Sequence, residues 1–112
     1  MAAPNSYTPQ LGQTVHAFTK PKRSVNVVFL HCTATSNPHF DAKQCHDYHV
    51  DQLNWSAIGY HYLLCTSGVL QYGRSAEQTP AAQSGYNSGS LAISLNGLNP
   101  SDFNAGQFER LV

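Results

Sequence analysis

The sequence is short of charge. Lys, Arg, Asp and Glu make up 11% of its 112 residues, against about 25% in ordinary soluble domains. Six basic and six acidic side chains cancel to a formal charge of zero. A nucleic-acid binder would carry a basic stripe, and a polybasic anchor would carry a basic cluster beside the bilayer. Neither pattern is present, so neither nucleic acid nor membrane is expected as a partner. Long apolar runs are missing as well. Val27-Val28-Phe29-Leu30 is far too short to cross a bilayer. The first twenty residues show no basic n-region and no apolar h-region, so no ordinary secretory signal is read there and synthesis in the cytoplasm is expected. Three cysteines without regular spacing do not describe a disulfide framework and fit a reducing compartment. Disorder is excluded by 41% apolar residues at zero net charge. The length suits one domain. Histidine is the residue in good supply, with six copies.

Residues 1–24 read as a lead-in, punctuated by Pro4, Asn5, Pro9, Gly12 and Pro21 and lacking a sustained apolar period. Loose or partly docked chain is expected there, followed by a domain over 25–112. Val25 to Thr35 is the strongest strand. Its nearly continuous apolar, β-branched character predicts a central strand covered on both faces. Alternation puts Val25, Val27, Phe29, His31 and Thr33 on one face, and Val28, Leu30, Cys32 and Ala34 on the other. A helix is predicted from Asp41 to about Leu53, with Asp41 and Gln44 in a capping-box pattern and Ala42, Cys45, His49 and Leu53 on one stripe. Ile58 to Thr66 reads as a strand, Ser67-Gly68 as a tight turn, and Val69 to Arg74 as the hairpin partner. Ser75 to Ser90 reads as a surface loop, of the kind that often carries function. Leu91 to Leu95 reads as another strand. Asn104 looks like the N-cap of a final helix, with Phe108, Leu111 and Val112 starting its apolar stripe. The chain then stops without a C-cap, which reads as a domain cut short.

Few residues are placed for chemistry. His31 sits near the C-terminal end of the best strand, where open α/β sheets hold their ligands. It suits a metal ligand on a rigid backbone or a satisfied core histidine. Cys32 points to the opposite face, in apolar surroundings that disfavour a thiolate. His46 and His49 are spaced i, i+3 on the predicted helix, beside Cys45. They suit helix packing or a metal cluster, and lack a third ligand in phase. Tyr60 could orient a water or polarise a carbonyl through its hydroxyl, or serve as an amphipathic strand residue. His61 points away from it. Arg74 could pair with a carboxylate. No phosphate loop, Gly-x-Ser-x-Gly elbow or His-Glu-x-x-His occurs.

The order of these pieces is specific where each alone is weak. It runs His31-Cys32-Thr33-Ala34-Thr35, a helix, Asn54-Trp55-Ser56-Ala57-Ile58-Gly59-Tyr60-His61-Tyr62, then Tyr72-Gly73-Arg74, Gly85-Tyr86-Asn87 and the strand Leu91 to Leu95. From about Val25 to Val112 the chain resembles the zinc-dependent N-acetylmuramoyl-L-alanine amidases, the type 2 amidase family of phage T7 lysozyme and the peptidoglycan recognition proteins. The resemblance implies an α/β fold, with a mixed central β-sheet flanked by helices. It implies hydrolysis of the amide between N-acetylmuramate and the L-alanine of the stem peptide by a zinc-activated water. Peptidoglycan or muropeptide would be the partner, as for an endolysin or a bacterial wall enzyme. By resemblance His31 matches the first zinc ligand and Tyr60 the active-site tyrosine. His49 matches a structural helix histidine, and His61 belongs to the core.

The chain also departs from the family. The resemblance implies two further zinc ligands, a His and a Cys or Asp, and a Lys or equivalent, from a region beyond the second helix that these 112 residues do not reach. Ala82 stands where the family's loop carries a cleft histidine. Little or no activity is therefore expected of the chain as written. A non-catalytic muropeptide-binding module and a gene fragment are the alternatives, with a His/Cys metal protein built on Cys45, His46 and His49 behind them.

Overall fold

A computed structural model describes residues 6–111. Its core is a four-stranded sheet in the order β1-β4-β2-β3, made of β1 (Val27–Cys32), β2 (Tyr62–Leu64), β3 (Leu70–Tyr72) and β4 (Ser90–Leu95). β4 runs parallel to both β1 and β2, while β3 is antiparallel to β2. The sheet is mixed and helices flank it, as the resemblance implies. The inner strands, however, are β4 and β2. β1 lies at the sheet edge among the described residues, with Val28 51% and Leu30 60% exposed. Continuous apolar character reports how a strand could be covered and carries no information on its place in the sheet. β1 is also shorter than the run Val25 to Thr35 from which it was read.

Helix α1 (Ala42–Asp51) begins as read. The Asp41 carboxylate accepts from the Gln44 backbone N–H at 2.9 Å, and the Gln44 side-chain oxygen accepts from the Asp41 N–H at 3.2 Å. Ala42, Cys45, His46 and His49 form its buried face. The stripe stops before Leu53, which is exposed, because the chain leaves the helix at Gln52 and turns at Asn54, where φ is +57°.

The stretch read as a strand over Ile58 to Thr66 is regular only at β2. Ile58 to His61 is buried or half-buried but irregular: the Ile58 and Gly59 N–H groups go to histidine side chains, and the bond to β4 begins with the His61 N–H on the Ala92 carbonyl. The turn at Ser67-Gly68 holds, with Gly68 at φ +90° donating to the Cys65 carbonyl at 2.9 Å. Such a φ suits glycine.

The lead-in is docked rather than loose. Thr8, Leu11 and Val15 are buried, and the Val15 N–H donates to the Leu70 carbonyl at 2.8 Å along the free edge of β3. Met1 to Asn5 and Val112 lie outside the described residues. Two apolar clusters cover the two faces of the sheet. Leu11, Ala42, Cys45, Ile58 and Leu63 pack on the α1 side, and Val15, Tyr62, Leu64, Leu70 and Leu95 on the other. Helix α2 (Ala105–Leu111) closes the second face. Asn104 caps it, exchanging side-chain and backbone bonds with Gln107 at 3.1 Å each. Its buried residue is Gln107, not Phe108, which is 54% exposed. The Gln107 amide donates to the Leu64 and Asn96 carbonyls and ties the helix to the ends of β2 and β4.

Candidate functional site

The parallel pairing of β1 with β4 sets His31 opposite Ser94 near the C-terminal ends of both strands. Tyr60 reaches the same place from the irregular segment before β2. Three side chains hold that segment. His46 Nδ1 accepts from the Ile58 N–H at 3.1 Å, and His49 Nδ1 accepts from the Gly59 N–H at 2.9 Å. Arg74 Nε donates to the Ile58 carbonyl at 2.9 Å, and its guanidinium also reaches the Thr79 carbonyl at 3.0 Å. Gly59 itself must be glycine. A Cβ there would run into the carbonyl oxygen of Ala81, on the loop that crosses it.

Tyr60 lands with its ring centroid 5.5 Å from His31 and 5.7 Å from His49. The His49 ring also packs against Trp55, at 4.5 Å between centroids. Burial pushes the Tyr60 phenol above its ordinary value, an effect reinforced by Cys45, so the hydroxyl stays protonated at neutral pH. Burial, with His46 and Arg74 nearby, pulls the His49 pKa down to about 4. His49 is thus a neutral acceptor for the Gly59 amide.

The sequence placed His31 and Tyr60 in one site, and the fold brings them together. His49 stays beside Tyr60, and His61 is engaged elsewhere. His61 is fully buried, and its Nδ1 accepts from the Ala92 N–H at 3.0 Å while Nε2 lies 2.7 Å from the Gln78 carbonyl. Burial, opposed in part by the Gln78 bond, takes its pKa down to about 4. Cys45 lies 3.8 Å from His49 Nε2, but burial drives its thiol up to about 12. Cys32 is exposed. No group of three or more His, Cys, Asp or Glu side chains that could hold a metal occurs among the described residues. The cluster of Cys45, His46 and His49 is a packing and capping device instead.

Sequence reasoning missed the loop partner of His31. His31 Nε2 lies 2.8 Å from the side-chain oxygen of Gln83. The Gln83 amide nitrogen donates to Ser90 Oγ at 2.6 Å, and Ser90 Oγ donates to the Asn87 carbonyl at 2.8 Å. Asn87 Oδ1 accepts from the backbone N–H groups of Ala82 and Gln83. Asn87 is therefore the hub of the loop, which gives the Gly85-Tyr86-Asn87 motif a physical reason. The available signal was a polar Gln four residues before Asn in a loop already marked as functional.

An apolar groove of about 570 Å³, lined by Phe18, Val28, Leu91, Ile93 and Leu111, contains neither His31 nor Tyr60. The polar site is formed by the end of β1, Tyr60 and the loop around Gln83.

Comparison with known proteins bears on the family and the fold. Residues 21–112 match the family model described as N-acetylmuramoyl-L-alanine amidase. An endolysin of Enterobacteria phage K11 is 31% identical over 81 residues, which are 71% of this chain and 52% of that protein. The chain thus spans about half the length of the curated relatives it matches. Among solved structures, the peptidoglycan recognition proteins LCa and LCx, crystallised with tracheal cytotoxin, give a TM-score of 0.69 at 25% identity, covering 88% of this chain and 64% of that one. The N-acetylmuramoyl-L-alanine amidase LysC of Clostridium intestinale gives 0.71 at 23% identity, covering 93% and 70%.

Proposed function

Since the chain belongs to the N-acetylmuramoyl-L-alanine amidase family, we propose that its His31–Tyr60 site engages peptidoglycan fragments at the amide joining N-acetylmuramate to the stem peptide. The observation that carries this reading is the meeting of His31 and Tyr60, 5.5 Å apart between ring centroids, at the C-terminal end of a parallel strand pair. The two residues reach that point from separate elements, and the resemblance implies a site role for both.

In this reading His31 is a zinc ligand and Tyr60 orients the scissile carbonyl or the attacking water. Zinc in such a site supplies a water with its pKa lowered toward neutrality and polarises the carbonyl. The described residues do not fit a resident catalytic zinc on their own. Such a site takes three protein ligands and an open position, and one candidate ligand is present. No step is therefore assigned to the metal. The chain's own contribution is positional. Tyr60 offers a protonated hydroxyl from a half-buried ring, and His31 is a fixed imidazole at its side.

A second reading, a non-catalytic muropeptide-binding module, draws on a specific observation: no group of three or more His, Cys, Asp or Glu side chains that could hold a metal occurs among the described residues. One experiment separates the two. The purified chain is dialysed free of metal, given one equivalent of zinc, and assayed for zinc content, for binding of purified muropeptide and for amide release from it. Zinc retained near zero with no release, but with muropeptide bound, supports the binding module. About one zinc per chain with metal-dependent release supports the amidase. Absence of both binding and release would overturn the proposal.

A further inference from the structure

The His31–Gln83–Ser90–Asn87 chain of hydrogen bonds has a direction, and the direction starts from a group that cannot reverse. The Asn87 carbonyl oxygen only accepts, so the Ser90 hydroxyl hydrogen points to it across 2.8 Å. Ser90 Oγ must then receive its other bond, and Gln83 delivers it from the amide nitrogen at 2.6 Å. That turns the Gln83 oxygen toward His31, where it accepts from Nε2 across 2.8 Å. Reversing the amide would set the Ser90 oxygen against the Asn87 carbonyl oxygen with no hydrogen between them. Only one arrangement satisfies all three contacts. Ser90 is fully buried, so water does not compete at that end of the chain.

From this we infer that Gln83 is the positioning residue of the site: it fixes His31 as the Nε2–H tautomer and leaves Nδ1 as the ring's one lone pair for an incoming donor. A histidine whose second nitrogen is tied to an oxygen acceptor has both its tautomer and its ring orientation set. The ligand group that matches is an amide N–H, which a stem peptide carries at each residue. This last step rests on the muropeptide-binding reading above, in which no zinc takes the same lone pair. The tautomer assignment does not.

Gln83 is itself held. The N–H groups of Ala82 and Gln83 both donate to Asn87 Oδ1, at 3.1 and 3.0 Å, and the Ala81 N–H donates to the Gly59 carbonyl at 3.1 Å. The loop carrying Gln83 is therefore stitched to the segment carrying Tyr60.

Long-range ¹H–¹⁵N correlation spectra of the histidine rings in the full chain, at pH 8, read the tautomer directly. The unmodified chain is expected to show His31 protonated at Nε2. Gln83→Ala should give a mixture of the two tautomers. Gln83→Glu should keep the Nε2–H form, because a carboxylate oxygen still accepts there. Backbone amide spectra of each variant report whether the fold is intact, and the measurement on the unmodified chain needs no variant at all. Muramyl dipeptide, titrated calorimetrically, tests the ligand step. Gln83→Ala should weaken its binding about fivefold, the worth of one ordinary hydrogen bond. An Nδ1–H tautomer in the unmodified chain, or an unchanged tautomer in Gln83→Ala, would overturn the assignment of Gln83. The expected tautomers without any muramyl dipeptide binding would overturn the functional reading and leave the Gln83 assignment standing.

Discussion

His49 meets three demands with one ring. Its Nδ1 accepts the Gly59 N–H, its Nε2 faces the Cys45 sulfur, and its plane lies against Trp55 and Tyr60. Because Nδ1 accepts, the proton sits on Nε2 and points at the sulfur, a weak acceptor. The ring is buried and stays neutral at ordinary pH. Removing it would leave the Gly59 amide without its acceptor, a loss of about 1–3 kcal/mol for a buried donor, together with the ring's packing. His49→Ala should therefore lower the free energy of urea unfolding by at least that amount. His16→Ala, at an exposed position, should leave it unchanged within about 0.5 kcal/mol. Equal behaviour of the two variants would show that the Gly59 amide finds another partner. The sequence did single out His49 as structural, through its place on the helix stripe and through resemblance, and its spacing from His46 favoured packing over a metal pair. What it could not supply was the partner, because nothing local says that the acceptors meet two successive backbone amides of another segment.

At the scale of elements, the parts that depend on local chemistry were legible and those that depend on tertiary neighbours were not. The start of α1 was read from Asp41 and Gln44 because a capping box is complete within four residues. A helix of ten residues is marginal on its own, so the cap matters. Asp41→Ala should cost about 1 kcal/mol and Asp41→Asn nearly nothing, as thermal unfolding of the two variants would show. The hairpin turn and β4 were likewise legible from Ser67-Gly68 and from alternation. The extent of β2 was not. The residues before it have strand composition, yet His46, His49 and Arg74 take their backbone groups. The position of β1 was not legible either, since edge and centre differ only in what lies alongside. The site divided in the same way. His31 and Tyr60 could be named because they sit in motifs. Gln83, Ser90 and Asn87 were missed because their roles arise from hydrogen bonds across a loop of no regular structure.

The whole molecule contains an acid-sensitive balance created by its buried histidines. His49 and His61 are both buried, and burial takes both from an ordinary value near 6.5 down to about 4. The positive groups around them act in the same sense. His49 faces His46 and Arg74, with Cys45, Trp55 and Tyr60 completing its shell, while His61 feels Arg23 and Arg74. Both rings use Nδ1 as an acceptor for a backbone N–H. A proton added there would turn an attraction into a clash of two donors. The unfolded chain binds those protons readily, so between pH 6.5 and 4 it holds more protons than the folded chain. Stability must then rise with pH across that window. The contribution is fully present above about pH 6.5 and is lost as pH falls toward 4. Asp102, held below the ordinary carboxylate range mainly by the Asn99 backbone N–H and by Ser36, adds a loss of the same sign further down. Urea unfolding at pH 7.5, 5.5 and 4.5 should show a midpoint that falls with pH, with proton uptake on unfolding approaching two near pH 5. A midpoint unchanged over that range would mean that the folded chain accepts the protons, and that the amides of Gly59 and Ala92 do not need the two imidazoles.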